Sequence, residues 1–167
     1  FTLTINAYDQ PPLAAGAANF GVGTASVYIG EPFKSTDQKK RGQFLYKVSE
    51  LRAAGMTPGS INSMQIYIYT KNTTGNFNNF SISLGKSDAD YLVDAVIIPG
   101  TDFTTVFTTP ALSTVAGWNL FTFTTPYVWD GVSNIVVEYC YSSTTGLNAD
   151  NLLCYKDGGS ASQSNFM

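Results

Sequence analysis

The chain has 167 residues, of which 44% are hydrophobic and only 13% are charged, and its net charge is −3. A chain of this length can bury a full core, and most of its polar surface has to come from Ser, Thr, Asn and Gly. The acidic balance argues against a nucleic-acid partner. The absence of histidine excludes Ser-His-Asp and Cys-His catalysis within this chain, together with the commonest zinc and copper sites.

The first predicted element is a strand, because Phe1, Leu3 and Ile5 alternate with polar residues. Residues 9–23 are rich in Pro, Ala and Gly without a period, which indicates a loop or linker. We therefore expect residues 1–23 to form a lead-in strand and linker, and residues 24–167 to form a single β-sandwich module. Both ends break off inside strand-like patterns, so we expect the chain to be a fragment of a much longer polypeptide.

One short helix is predicted near residues 45–54. Leu45, Val48 and Leu51 share a face at helical spacing. Ser49 or a neighbouring residue is the candidate N-cap, and Gly55 lies where a left-handed C-cap is expected.

From residue 61 onward, apolar and polar residues alternate with the period of half-buried strands. Further strands are expected at 93–98 and 104–108, while Pro126 and the Asp130-Gly131 pair are typical of ladder ends and turns. Nine or ten short strands predict an all-β fold, an antiparallel β-sandwich that is jelly-roll-like, rather than a parallel α/β sheet. The side chains expected to face its core are Met64, Ile66, Ile68, Phe80, Ile82, Leu84, Phe121, Phe123, Val137 and Tyr139.

The two cysteines, Cys140 and Cys154, are too far apart for a CxxC redox motif and too few for a zinc site. We expect them to form a structural disulfide, as in a secreted protein. It would close a loop of about 15 residues and stabilise the fold by about 3 kcal/mol. The alternative is a pair of buried free thiols in a reducing compartment.

Two small sets of residues are candidates for ligand binding. Tyr67 and Tyr69 are two positions apart on a predicted strand, so both face outward, where aromatic rings stack on sugars. Alternatively, a second layer or a subunit covers them. Asp88 and Asp90 are weak calcium candidates; because the other acidic ligands of an EF-hand loop are missing, ordinary loop acids are the alternative.

A glycosidase would need two carboxylates at a set separation, and no recognisable motif supplies such a pair. We therefore predict no catalytic residue and no cofactor. The sequence also contains no apolar run long enough to cross a membrane as a helix, so we expect no membrane insertion.

Three stretches of the sequence carry a family resemblance. They are QFLYKVSELRAAG at 43–55 followed by INSM at 61–64, then NFSISLG at 79–85, then GWNLFTFTTPYVWDGVSNIVVEYC at 117–140. Together they resemble a module of very large secreted and surface proteins of gliding and predatory Bacteroidota, over roughly residues 28–140. The resemblance implies a β-sandwich exported by the type IX route, often beside adhesin repeats, at an extracellular or cell-surface location. It implies no catalytic motif.

These observations predict a non-enzymatic structural or adhesive module of an extracellular surface protein or filament. Its expected partners are neighbouring modules or subunits of the same assembly, because a surface poor in charge favours dense lateral packing. The alternative is a carbohydrate-binding, lectin-like module that uses the outward tyrosines Tyr67 and Tyr69.

Overall fold

The structure is a computed structural model. It describes residues 2–5, 17–20, 26–29, 32–34, 39–93, 96–98, 102–144, 149–155 and 164–166. In the strands within residues 2–29, 143–144 and 151–166 it describes the backbone alone.

The described residues form two six-stranded sheets and one short helix, α1 (Val48–Ala53). The strands are β1 (Thr2–Ile5), β2 (Ala17–Phe20), β3 (Ser26–Ile29), β4 (Lys40–Tyr46), β5 (Gly59–Thr70), β6 (Phe77–Ser87), β7 (Thr104–Leu112), β8 (Gly117–Trp129), β9 (Asn134–Tyr141), β10 (Ser143–Thr144), β11 (Asn151–Tyr155) and β12 (Ser164–Phe166). Sheet 1 has the order β2-β1-β5-β11-β3, with β8 also paired to β5. Sheet 2 has the order β10-β6-β9-β4-β12, with β7 also paired to β6. The predicted all-β sandwich is confirmed.

The core lies between the two sheets. All ten side chains that the alternation predicts to face inward are buried in one hydrophobic cluster, which draws on both sheets. Phe80 of sheet 2 stacks on Phe121 of sheet 1, with ring centroids 6.0 Å apart. Because successive strand residues point to opposite faces, a register slip of one residue would turn each of these rows outward.

The helix begins later than the predicted 45–54. Leu45 belongs to strand β4, where it pairs with Val136 of β9. The backbone N–H and C=O groups of strand β4 at this position therefore form hydrogen bonds within the sheet. A helix starting at Leu45 would lose those hydrogen bonds. The helical spacing of Leu45 is accidental, since its side chain packs in a second small cluster on the outside of sheet 2.

The ends of the helix are held in different ways. Lys47, and not Ser49, is the N-cap residue, and the side chain of Asn134 accepts a 2.8 Å hydrogen bond from the Val48 N–H. A residue on strand β9 thus satisfies a backbone donor that the helix cannot satisfy itself. At the other end, Ala54 is the C-cap residue, and Gly55 directly after it has φ +87°, which confirms the left-handed conformation predicted at this glycine.

The strand predicted at 93–98 is wrong for the residues described there, since residues 93 and 96–98 are not in a strand. The fully buried side chain of Gln43 explains why. Its Nε2 donates to the carbonyl oxygen of Ile98 (3.0 Å), and its Oε1 accepts from the Ile98 N–H (2.9 Å). The amide thus takes both backbone groups of Ile98 that a strand ladder would use.

This segment packs on the outer face of sheet 2. Leu92, Ile98 and Phe103 contact Leu45 and Val136 in the second cluster. The Phe103 ring also lies directly over Gly85, where a Cβ atom would come within 2.8 Å of the ring. The close approach requires glycine at position 85.

The N-terminal segment contributes to sheet 1. Strand β1 runs parallel to β5, with Thr2 opposite Ser63, and β2 pairs in parallel with β1. The segment 9–23, predicted as a loop or linker, therefore contains a strand at Ala17–Phe20; its other residues lie outside the described part. In the described chain no helix is long and apolar enough to cross a membrane.

Candidate binding face on sheet 1

Four large side chains lie together on the outside of sheet 1. Strands β5 and β8 are antiparallel, with Tyr67 opposite Trp118 and Gln65 opposite Leu120. Alternation along each strand places Tyr69 on the same side as Tyr67, and Leu120 on the same side as Trp118. Tyr69 is 46% exposed and Leu120 is 59% exposed. We call Tyr67, Tyr69, Trp118 and Leu120 the aromatic face.

Tyr67 and Trp118 form an edge-to-face pair. Their ring centroids are 5.2 Å apart and the ring planes are inclined by 67°. This is a favourable arrangement for two aromatic quadrupoles and stabilises such a pair by about 0.5–1.5 kcal/mol beyond the burial of its area. Each ring therefore limits the rotation of the other on the sheet surface.

The predicted outward orientation of Tyr67 and Tyr69 agrees with the burial pattern of β5, in which Met64, Ile66 and Ile68 are buried and the residues that alternate with them are not. The sequence does not predict Trp118 as a site residue, although it places Trp118 at the start of a strand. Only the register between β5 and β8 brings it beside Tyr67. A cross-strand register between segments so distant in sequence has no local signal.

The turn leading into Trp118 is held by one buried side chain. Asn119 is 8% exposed, and its Oδ1 accepts a 2.9 Å hydrogen bond from the Val115 N–H. Its Nδ2 donates to the carbonyl oxygens of Val115 (2.8 Å) and Gly117 (3.0 Å). Gly117 has φ +95°, a left-handed conformation that favours glycine. These contacts give the backbone before Trp118 a defined path.

A buried carboxylate ties the loops that border this end of the sandwich. Asp150 is fully buried and accepts hydrogen bonds from the backbone N–H groups of Asn72 and Thr73, each at 2.7 Å. It also accepts hydrogen bonds from the hydroxyls of Thr73 and Thr114. The loop after β5 and the loop after β7 therefore share one anchor.

Lys71 completes this arrangement. Its Nζ lies 3.6 Å from Oδ2 of Asp150 and donates to the hydroxyls of Thr73 and Thr114. Burial alone would raise the pKa of Asp150, but the hydrogen bonds from Thr114, Thr73 and Asn72 together outweigh it and lower the pKa below 3.8. The carboxylate is thus held ionised as a structural anchor.

A second buried acid lies on the outside of sheet 2. Glu138 is 8% exposed, and its Oε2 accepts 2.8 Å hydrogen bonds from Nε of Arg41 and from Nε2 of Gln43. Through Gln43 the carboxylate is connected to the segment that covers this face. Its contacts support the packing of strands β4 and β9.

The predicted disulfide between Cys140 and Cys154 has no support in the structure, in which Cys140 is a free cysteine. Its strand β9 belongs to sheet 2, whereas the strand of Cys154, β11, belongs to sheet 1. The side chain of Cys154 lies outside the described residues. The Cys140 thiol is 3.9 Å from Oε1 of Glu138, and burial, followed by the charge of Glu138, raises its pKa.

The weak calcium candidates Asp88 and Asp90 are both exposed. Among the residues whose side chains are described, no group of three His, Cys, Asp or Glu is arranged to hold a metal ion. A site made of two carboxylates and backbone carbonyls stays a prediction.

No protein-family model, curated protein or solved structure matches this chain. The candidate site therefore rests on the geometry of sheet 1 and on the chemistry of its side chains.

Proposed function

We propose that this chain is a non-enzymatic structural or adhesive module of an extracellular surface protein or filament. The observation that carries the proposal is the aromatic face. Exposed apolar side chains that lie together on a rigid element mark interaction surfaces more often than isolated ones do. Here Tyr69 and Leu120 are exposed and Tyr67 and Trp118 are half-buried. The four side chains lie on two paired strands, next to a turn held by Asn119.

The side chains of the chain support a binding role rather than a catalytic one. The sequence has no histidine, and the buried acids Glu138 and Asp150 are engaged by structural hydrogen bonds. Export by the type IX route and a cell-surface location are part of the proposal, and the sequence resemblance supports them. Neighbouring modules or subunits are the proposed partners within the assembly.

The sheet edges formed by β7 and β8 favour contacts through a face over contacts by strand addition. Within the described residues β7 pairs only with β6, and β8 only with β5. Each of the two strands carries an exposed proline, Pro110 and Pro126, which has no N–H to offer an incoming strand. The register of β8 with β5 is irregular between Thr122 and Tyr127, so the predicted effect of Pro126 on the ladder is local and the strand continues to Trp129.

The proposal is tested in the cells that make the protein, by deleting this module from the full-length chain. We expect the shortened protein to reach the surface and the cells to attach less firmly to their substratum. In unmodified cells, protease added to the outside should cleave the module. Unchanged attachment, or a module that external protease cannot reach, would contradict the proposal.

Carbohydrate binding is the second candidate function. The specific observation that favours it is the contact between Tyr67 and Trp118, which adds a third aromatic ring to the two tyrosines predicted from the sequence. Aromatic rings with polar tips suit sugars because they offer an apolar surface and a hydrogen-bonding group together. A glycan array probed with the wild-type chain and with a Tyr67→Ala/Tyr69→Ala variant tests this function.

A further inference from the structure

We propose that Lys71 and Asp150 become joined by an intramolecular amide (isopeptide) bond after the chain has folded. The Lys71 amine attacks Cγ of the Asp150 carboxyl group, one C–O bond breaks, and one water molecule leaves. The step occurs once in each chain and needs no oxidant, cofactor or second protein. It goes beyond the proposed attachment function and does not depend on it.

The two reacting groups lie together, and the carboxylate is shielded from water. Asp150 is fully buried, and Nζ of Lys71 lies 3.6 Å from its Oδ2. Groups held this close in a fixed geometry react as if they were present at very high concentration. A buried ion pair also carries the cost of taking two charges out of water, and a neutral amide removes both charges. Burial therefore favours the amide over the two ions.

The backbone of the loop after β5 is arranged to stabilise the attack. The N–H groups of Asn72 and Thr73 both donate to Oδ1 of Asp150, each at 2.7 Å. Two backbone donors aimed at one oxygen stabilise the negative charge that develops on it when the amine adds to the carboxyl carbon. The same donors suit the carbonyl oxygen of the amide product.

The hydroxyl of Thr114 connects the other two reacting atoms. It accepts a hydrogen bond from Nζ of Lys71 and donates one to Oδ2 of Asp150, both at 2.5 Å. One proton can pass along this path from the ammonium to Oδ2, which leaves a neutral amine and a neutral carboxylic acid. After the attack a second proton follows the same path, so Oδ2 departs as water and the charges balance. The hydroxyl of Thr73 forms a second bridge between the same two groups.

A second ion pair, between Lys86 and Asp130, lacks this setting. Its Nζ–Oδ2 distance is shorter, at 3.0 Å, but the two side chains are 53% and 27% exposed. Water stabilises both charges at such a site. We therefore expect no bond between Lys86 and Asp130.

The bond would link two neighbouring strands of sheet 1. Lys71 directly follows β5 and Asp150 directly precedes β11, and these strands are paired. Strands β6 to β10 would lie inside the covalent ring, so tension along the chain would pass through the amide and bypass them. An amide takes up no proton in this range, so only the chain that has not yet reacted is sensitive to acid through Asp150.

The test is peptide mapping of the full-length protein, purified from the cells that make it, incubated overnight, then unfolded and digested. The lowered pKa of Asp150 keeps its neutral acid scarce, so the bond should form slowly after folding. We expect the peptide containing Lys71 to be joined to the peptide containing Asp150, with a mass one water molecule below their sum. Thr114→Val should slow this reaction by about tenfold or more, and Thr114→Ser should restore its rate.

Two lysine variants serve as controls. Lys71→Arg keeps the positive charge but should give no joined peptide, because a guanidinium stays protonated. Lys86→Arg, in the exposed pair, should give the joined peptide in unchanged yield. Thermal melting shows which variants are folded, although the wild-type result alone decides whether the bond exists.

Each other result would overturn a stated part of the proposal. Separate, unmodified peptides of Lys71 and Asp150 in the wild type would overturn the bond itself, as would a loss of water without any joined peptide. A link between Lys86 and Asp130 would overturn the role of burial. Equal rates for Thr114→Val and the wild type would overturn the proton path through Thr114.

Discussion

Phe80 and Phe121 stack on each other across the sandwich, with an angle of 26° between the ring planes and both side chains about 99% buried. Phe80 lies on β6 of sheet 2 and Phe121 on β8 of sheet 1. The contact joins the two sheets directly, and it fixes which face of β8 is turned toward the core.

Replacing Phe121 with Ala should lower the free energy of unfolding by about 3–5 kcal/mol, because the change removes a fully buried ring from a close-packed site. The neighbouring Leu120 is 59% exposed, so Leu120→Ala is the matched control and should change stability by no more than about 0.5 kcal/mol. Chemical denaturation of both variants measures the difference. Equal effects of the two substitutions would show that the register of β8 is wrong.

Asp150 should make the fold sensitive to acid. Its pKa is lower in the folded chain than the ordinary 3.8, so the unfolded chain takes up the proton first on acidification. The stabilisation is present above pH 3.8 and is lost as the pH falls through the folded pKa. Asp150→Asn should cost about 1.5–3 kcal/mol at neutral pH, since it replaces a buried carboxylate that accepts hydrogen bonds from Asn72, Thr73 and Thr114, and should flatten the acid limb of the stability profile. The exposed Asp88 provides the control, because Asp88→Asn should change stability at neutral pH by no more than about 0.5 kcal/mol.

Tyr127 should lower stability at alkaline pH. Its hydroxyl is buried with no hydrogen-bond partner among the described residues, and burial, followed by the charge of Asp130, raises its pKa from 10.0 to about 12. The unfolded chain loses this proton first, so stability should fall as the pH rises above 10. Tyr127→Phe should remove that slope and be neutral or stabilising at pH 7.

Tyr141→Phe is the matched comparison for Tyr127→Phe. The Tyr141 hydroxyl donates a 3.0 Å hydrogen bond to the carbonyl oxygen of Lys34, and losing it should cost about 1 kcal/mol. A larger loss of stability in Tyr127→Phe than in Tyr141→Phe would contradict the buried, unpartnered state of the Tyr127 hydroxyl.

Cys140 should be a free thiol. Alkylation of the unfolded, unreduced protein, followed by peptide mass spectrometry, is expected to find a label on Cys140. In the folded protein the same label should be added much more slowly, because burial and the neighbouring Glu138 disfavour the reactive thiolate. A peptide of Cys140 linked to a peptide of Cys154 would instead establish the disulfide predicted from the sequence.

The sequence predicts which side chains form the core better than it predicts contacts between residues distant along the chain. Alternation alone identifies Met64, Phe80 and Phe121 as inward-facing, because burial on one side of a strand leaves a period of two in the sequence. The same local reasoning wrongly places Leu45 in a helix. Apolar residues at three- and four-residue spacings fit a helix, although the backbone of Leu45 is paired with strand β9.

What the sequence does not predict depends on partners distant along the chain. The sequence of residues 93–98 is typical of a strand, but in the structure the Gln43 amide forms hydrogen bonds with both backbone groups of Ile98. In the sequence Asp150 is one of several scattered acids. Only the folded chain brings the hydrogen-bond donors of Thr73 and Thr114 to its carboxylate. The role of Trp118 likewise needs the register of two strands, and no short-range pattern encodes such a pairing.

Our proposal is that this module attaches cells to their substratum through the aromatic face. The most direct measurement introduces Tyr67→Ala and Trp118→Ala together into the full-length protein and records the force needed to detach the cells that make it. Val128→Ala in the same strand is the control, and surface labelling confirms that each variant reaches the surface in equal amount. We predict that the double variant detaches at clearly lower force while the control behaves like the wild type. Equal detachment forces for the double variant and the wild type would contradict attachment through this face.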